Sequence, residues 1–222
     1  MKTERQPQNI LAIESAVGEG SISLWRGDSD SSVESSGASR AERIVIEIEG
    51  LLRETAFAKN DLDLIAVSIG PGSYSGIRIG ISTALGLGHS LGIPVVGVSV
   101  LEALASSVPS QKVISVVPIG RSDLAWQIFE ADSAGNKRAT AEPLLNPITT
   151  FSESLNDHPG LPIVAPSHLV ESLKDLIGVS RTVLEIDSSL ASAIAQLVAK
   201  GGISLSAPKP IYMRNAVARS VT

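Results

Sequence analysis

Ser68-Ile69-Gly70-Pro71-Gly72-Ser73-Tyr74-Ser75-Gly76-Ile77-Arg78-Ile79-Gly80 decides how this chain folds. The apolar run from Leu62 to Ile69 is rich in β-branched residues, too short for an ordinary helix, and ends on Gly-Pro-Gly. It therefore reads as a strand delivered into a sharp turn. Beyond the turn, Ile77, Ile81 and Leu85 recur four apart, with Ala84 and Gly88 on a neighbouring stripe, which is helical spacing over Ser75 to Leu91. Pro94 stops that helix, and Pro94 to Val98 reads as the next strand. Ser99 and Glu102 then form S-x-x-E, a capping box that opens a third helix.

The composition of the middle helix is unusual. It carries Gly76, Gly80, Gly86 and Gly88, each costing up to about 1 kcal/mol relative to Ala in a helix interior, and its ionisable residues are Arg78 and His89. A helix that is apolar nearly all round must be buried nearly all round. The bulky face, Ile77, Ile81 and Leu85, is expected to pack on the helix's own sheet. The small face, Gly76, Gly80, Thr83, Ala84 and Leu87, would let a second backbone approach, from another helix of this chain or from a partner. A partner interface made by Gly72, Ser73, Tyr74, Gly76, Gly80, Thr83, Ala84 and Leu87, flanked by the exposed side of the helix over Ala41 to Ala56, is the expectation carried forward.

The whole chain, 222 residues with 43% apolar composition, is long enough for one large or two small domains with a real core. No run reaches the length of a membrane span, and Met1 to Asn9 is polar without an apolar signal segment, so the sequence predicts a cytoplasmic protein that does not contact membranes. Cysteine is absent, which excludes disulfides, thiolate metal sites and cysteine nucleophiles. With 18 basic and 23 acidic residues and a formal charge of −5, the chain alone is expected to bind nucleic acid poorly. Aromatics at 3% leave few platforms for base stacking.

Upstream, Asn9 to Glu14 and Gly20 to Trp25 flank a short turn and read as a β-hairpin, and Gly27 to Ser39 as a Ser/Asp/Gly loop with at most a short third strand. Ala41 to Ala56 sets Ile44, Ile48, Leu51 and Leu52 on one helical stripe. Downstream, Lys112 to Ile119, Asp123 to Ala131 and Lys137 to Leu145 read as strands. A short helix over Phe151 to Asn156 follows, then a strand over Leu161 to Ala165, a helix over Ser167 to Ile177, a strand over Thr182 to Ile186 and a helix over Ser188 to Lys200 ended by Gly201-Gly202. The second half repeats the first in outline. Two related α/β lobes, residues 1–107 and 108–222, are expected, each a mixed sheet with helices on its faces.

Catalytic signatures are sparse. Gly70, Gly72 and Gly76 are spaced G-x-G-x-x-x-G rather than G-x-G-x-x-G, and no Gly-Lys-Ser/Thr marks a P-loop. His89, His158 and His168 show no i, i+4 pair, and G-x-S-x-G is absent around Ser73 and Ser75. Glu14, Asp61, Asp63 and Asp123 are the carboxylates to weigh for acid/base work against strand-end or capping roles.

Gly70 to Gly80, followed by Gly86-Leu87, Leu91-Gly92-Ile93-Pro94, Val98-Ser99 and Leu101-Glu102-Ala103-Leu104, closely resembles the TsaB (YeaZ) family. The opening Ile10-Leu11-Ala12-Ile13-Glu14-Ser15 and the late Lys209-Pro210-Ile211-Tyr212-Met213-Arg214 are similar to that family's first strand and its C-terminal P-x-Y-x-R signature. The resemblance implies two ribonuclease H-like lobes of the actin, sugar-kinase and Hsp70 type. It also implies a role in making N6-threonylcarbamoyladenosine in tRNAs that read ANN codons. In that role the chain is a non-catalytic subunit, with no catalytic or metal site and no cofactor of its own, and no cofactor-binding residue is assigned. It pairs with a TsaD-like transferase that carries the ATP and metal sites and an H-x-x-x-H motif this sequence lacks. A TsaE-like ATPase joins through the complex, tRNA is met only there, and the isolated chain forms a homodimer.

The sequence departs from the family where Glu14 replaces the common Asp, Arg40-Ala41 replaces His-Ser, and Ile119-Gly120-Arg121 keeps only the arginine of Asp-Ala-Arg. Each loss removes a polar group from the cleft and leaves the helix-packing motif intact. The competing readings are a small-molecule kinase or peptidase of the same fold, with Glu14 and Asp123 as the nearest general bases, and a homodimeric binding protein.

Overall fold

The computed structural model describes residues 8–27, 29–34, 40–178, 181–186, 189–201 and 206–213. Strands β1 (Asn9–Glu14), β2 (Ser21–Arg26), β3 (Ser29–Glu34), β4 (Leu64–Ser68) and β5 (Val95–Val98) form a five-stranded sheet in the order β3-β2-β1-β4-β5. The β1–β2–β3 meander is antiparallel, and β1–β4–β5 is parallel. The loop expected over Gly27 to Ser39 thus contributes the edge strand β3, and Ser35 to Ser39 lie outside the described residues.

Because side chains alternate across a strand, each β1 and β4 residue is committed to one face. Leu11, Ile13, Ile65 and Val67 meet helices α1 (Arg40–Glu54) and α2 (Tyr74–Leu91), whereas Ile10, Ala12, Leu64 and Ala66 meet the opposite layer.

The second sheet repeats this plan. Its strands β6 (Lys112–Ile119), β7 (Asp123–Ala131), β8 (Lys137–Ala139), β10 (Ile163–Ala165) and β11 (Val183–Glu185) run in the order β11-β10-β6-β7-β8, with β9 (Leu144–Pro147) also paired on β7. The single strand expected over Lys137 to Leu145 is therefore two short ones that pair with different parts of β7. Pro143 between them has no N–H to donate to the ladder. Helices α4 (Ile148–Ser154) and α5 (Ser167–Ile177) cover one face through Phe151, Leu155 and Leu173. Helix α3 (Val100–Ser106) fills the other with Val100, Leu101, Leu104 and Ala105.

The boundary expected at residue 107 needs correcting. Helix α6 (Leu190–Ala199) packs Ala191, Ile194, Ala195 and Val198 onto Ile10, Ala12, Leu64 and Ala66 of the first sheet, and the Ala191 N–H donates to Ser21 Oγ at 3.0 Å. Residues 206–213 also return to the first sheet, where the Gly97 N–H donates to the Ser206 carbonyl at 3.0 Å and the Ile211 N–H to the Ile69 carbonyl at 2.7 Å. The lobes share a core around α3 rather than dividing the chain at one point. At the ends of α6, Ser188 and Gly202 lie outside the described residues, and Ser189 supplies the cap.

The capping box does not form: Ser99 stands at the N-cap of α3 but makes no side-chain cap bond. Glu102 instead lines a cavity of about 260 Å³ between the lobes, beside Gln127 and Glu142. Burial pushes its pKa above the ordinary carboxylate value, and the charge of Arg138 opposes that in part. A raised folded-state pKa means that ionisation opposes folding above that pKa. Glu102→Gln is accordingly expected to raise Tm at pH 7, with the gain shrinking as pH falls through the raised pKa and vanishing once the unfolded carboxyl is also protonated. Thermal unfolding of both proteins across that pH range checks it.

Candidate functional site

The Gly-Pro-Gly turn is a junction for four parts of the chain. The Gly70 carbonyl accepts from the Val100 N–H that starts α3 at 2.9 Å, and the Ser73 N–H donates to the Ala16 carbonyl in the β1–β2 turn at 2.7 Å. Gly70 has φ +98°, and a Cβ there would lie 2.7 Å from the Ile211 carbonyl oxygen. A Cβ on Gly72 would lie 2.3 Å from the Ala16 oxygen. Glycine is required at both positions because other backbone segments occupy the space of a side chain. Ser73 caps α2 by accepting the Gly76 N–H at 3.2 Å, and Gly92, with φ +67°, ends the helix.

The faces of α2 differ in part from the expected ones: Ile77 is fully buried and Ile81 packs against the core, as expected, but Leu85 does not. Gly76, Gly80, Ala84 and Gly88 are buried against the chain itself, while Leu85 is 47% exposed. Ser15 Oγ donates to the Gly76 carbonyl at 2.8 Å, and a Cβ on Gly80 would lie 2.2 Å from that same oxygen. The small stripe thus lets α2 sink onto β1 and β4, and Gly76, Gly80 and Ala84 are not available to a partner. Gly72 packs on Ala16, and Thr83 and Leu87 are half-buried.

The outward side of α2 presents Tyr74, Arg78, Ser82, Leu85, Gly86 and His89. Beside it on the same layer, α1 exposes Val45 at 48% and Ile46 at 66%. The Arg78 guanidinium lies 4.1 Å over the Tyr74 ring and its Nε donates to Tyr212 Oη at 3.3 Å, while the two tyrosine rings are 4.7 Å apart. Tyr212 belongs to the late signature, but its pairing with residues 134 and more positions upstream had no signal in spacing or periodicity. Arg214 of that signature lies outside the described residues.

The interlobe cleft measures about 650 Å³, between the Ala16–Gly18 turn, the Gly72–Tyr74 turn, Pro118–Gly120 and His168, and among the described residues no lysine or arginine lines it. Glu14, 2% exposed, accepts the N–H groups of Ala16 at 2.6 Å and Val17 at 2.9 Å. The turn's amides are thereby occupied by the protein's own carboxylate, where an anion-binding turn would leave them free. An adjoining cavity of about 440 Å³ adds Glu14 and Glu19 to its walls.

Of the other candidate carboxylates, Asp63 accepts the N–H groups of Gln8 and Asn9, both at 2.9 Å. Asp61 lies in a single 3-10 turn, and Asp123 accepts from Ser122 Oγ at 2.9 Å. Ser73 Oγ is engaged by Gly76 and Ser75. Among the described residues no group of three or more His, Cys, Asp or Glu could hold a metal ion, and no helix is long and apolar enough to cross a membrane.

Residues 34–147, more than half of the chain, match the family model described as TsaD, tRNA N6-adenosine threonylcarbamoyltransferase. The chain is 28% identical over 131 residues to the tRNA threonylcarbamoyladenosine biosynthesis protein TsaB of Escherichia coli, covering 57% of each. That match spans little more than half the relative's length. The TsaB protein of Haemophilus influenzae is 24% identical over 228 residues, covering 96% of each, and that of Bacillus subtilis is 45% identical over 65 residues, 29% of this chain and 28% of that one. YeaZ from Pseudomonas aeruginosa superposes with a TM-score of 0.70 at 19% identity, over 92% of this chain and 99% of that one. The activator of 2-hydroxyisocaproyl-CoA dehydratase from Clostridium difficile, solved with ADPNP bound, reaches 0.50 at 12% identity over 87% and 95%. These likenesses carry the two-lobe fold of the actin and sugar-kinase type.

Proposed function

The chain belongs to the TsaD family of tRNA N6-adenosine threonylcarbamoyltransferases, among its TsaB (YeaZ) members, and from that premise we propose that it is a non-catalytic subunit that docks a TsaD-type transferase in the synthesis of N6-threonylcarbamoyladenosine. The observation that carries this reading is the outward side of α1 and α2. Leu85, Val45 and Ile46 lie exposed on helices whose core-facing sides are already filled by their own sheet. Tyr74, Arg78 and Tyr212 add an aromatic and arginine cluster at one end, the residue types that anchor protein interfaces.

Catalysis by the chain itself is disfavoured by its cleft. Glu14 is spent on the β1–β2 turn, and among the described residues the walls offer no cation for a phosphoryl group. In this reading ATP and metal belong to the transferase, a TsaE-type ATPase joins the assembly, and tRNA is held by the complex rather than by a subunit of charge −5.

The purified chain, given ATP, threonine, bicarbonate and unmodified tRNA, is expected to form no modified nucleoside, and, with an activated threonylcarbamoyl donor supplied, to support its formation once TsaD-type and TsaE-type proteins are added. Mass spectrometry of digested tRNA reads the result. Product made by the chain alone would reject the non-catalytic role, and a TsaD/TsaE mixture that is equally active without the chain would reject the subunit role.

A further inference from the structure

Lys137 opens β8 and is 6% exposed, although lysine is rarely buried without an acidic partner. Its ammonium donates to the Ser110 carbonyl, and burial alone holds its pKa below the ordinary lysine value, with no neighbouring charge contributing. An ammonium has three N–H donors, so two remain without an acceptor among the described residues. The side chain borders a cavity of about 140 Å³ whose walls also include Ser106, Asn136, Gln196 and Lys200 and, among the described residues, no carboxylate.

Charge and size narrow the occupant. Residues at the C-terminal ends of α3 and α6 border this corner, each end equivalent to roughly −0.5 charge, against two ammoniums, which leaves about +1. A water's share of liquid volume is about 30 Å³, so the cavity corresponds to about four or five waters, or one compact oxyanion. We propose that this cavity binds a free tetrahedral oxyanion, inorganic phosphate or sulfate, between Lys137 and Lys200. Bound there, the anion ties β8 of the second sheet to α3 and to α6, the helix that belongs to the first sheet. Anion binding then stabilises the joint between the lobes. The competing arrangement has both lysines serving only the helix-end carbonyls.

Thermal unfolding of the full chain in phosphate, sulfate or chloride at matched ionic strength and pH separates the two. The expected result is a saturable rise in Tm with phosphate and with sulfate, absent with chloride. Lys137→Met, which keeps the buried stem, abolishes the rise, and the exposed Lys200→Gln weakens the midpoint about tenfold while leaving the fold intact. O-phosphoserine, several atoms larger than the free ion, gives no rise. A Tm indifferent to phosphate and sulfate overturns the site, as does an undiminished rise in both lysine variants. An equal rise with O-phosphoserine overturns its restriction to the free ion.

Discussion

Gly80→Leu is expected to unfold or severely destabilise the isolated chain. Gly80 is buried on the side of α2 that faces β1 and β4, and even a methyl group there would lie 2.2 Å from Ser15 Oγ and 3.5 Å from Val67 Cγ2. Ser15 could swing away only by giving up its 2.8 Å bond to the Gly76 carbonyl, and its N–H is itself tied to Ser68 Oγ at 3.2 Å. Overpacking costs about 1–3 kcal/mol where neighbours can yield, and more where they cannot. The loss of a buried hydrogen bond adds about 1 kcal/mol. Set against a total stability of about 5–15 kcal/mol, and at about 2–4 °C per kcal/mol for a chain of this size, Tm should fall by about 10 °C or more. Gly80→Ala should show the same effect in smaller measure. Differential scanning calorimetry of the purified variants reads it directly. A leucine variant with unchanged Tm that no longer associates with its partner would return the glycine stripe to the interface.

The opposite outcome is expected for Leu85→Arg combined with Ile46→Asp. Both side chains are already largely in water, at 47% and 66% exposure, so the change in folding stability should stay within about 0.5 kcal/mol. Against a docked helix, however, each substitution places a charge where apolar surface is to be buried. Central interface anchors cost about 2 kcal/mol or more when lost, which corresponds to about thirtyfold in affinity for one and more for two. Binding to a TsaD-type protein, measured by titration calorimetry, should weaken at least about a hundredfold, while circular dichroism and Tm remain those of the unmodified chain. Light scattering on the same variant shows whether self-association uses the same face. Unchanged affinity for the transferase would remove α1 and α2 from the interface.

These two experiments probe opposite sides of one helix, and the sequence distinguished the sides without orienting them. Periodicity over Ser75 to Leu91 separates a glycine and alanine stripe from a bulky one, but a helix apolar nearly all round carries no polar face to mark the outside. The orientation follows from how closely α2 approaches the sheet. With Ser15 and Val67 beneath it there is room for backbone and not for leucine.

By itself the sequence determined what local chemistry can determine. Apolar runs gave β1, β4 and β6, the i, i+4 spacing gave α1 and α2, and Gly-Pro-Gly marked where strand becomes helix, because each of these depends on neighbours within a few residues. The motif from Gly70 to Gly80 also sufficed to indicate the family. Only the tertiary structure decided the long-range placements. It carried α6 back onto the first sheet, 170 residues from its contact at Ser21, and set Tyr212 against Arg78. It turned Glu102 away from the cap that local spacing offered. The physical reason is common to all three: burial against distant surface and pairing with distant backbone outweigh the 1 kcal/mol or so at stake in a local cap or propensity, and no pattern along the chain records which distant surface that will be.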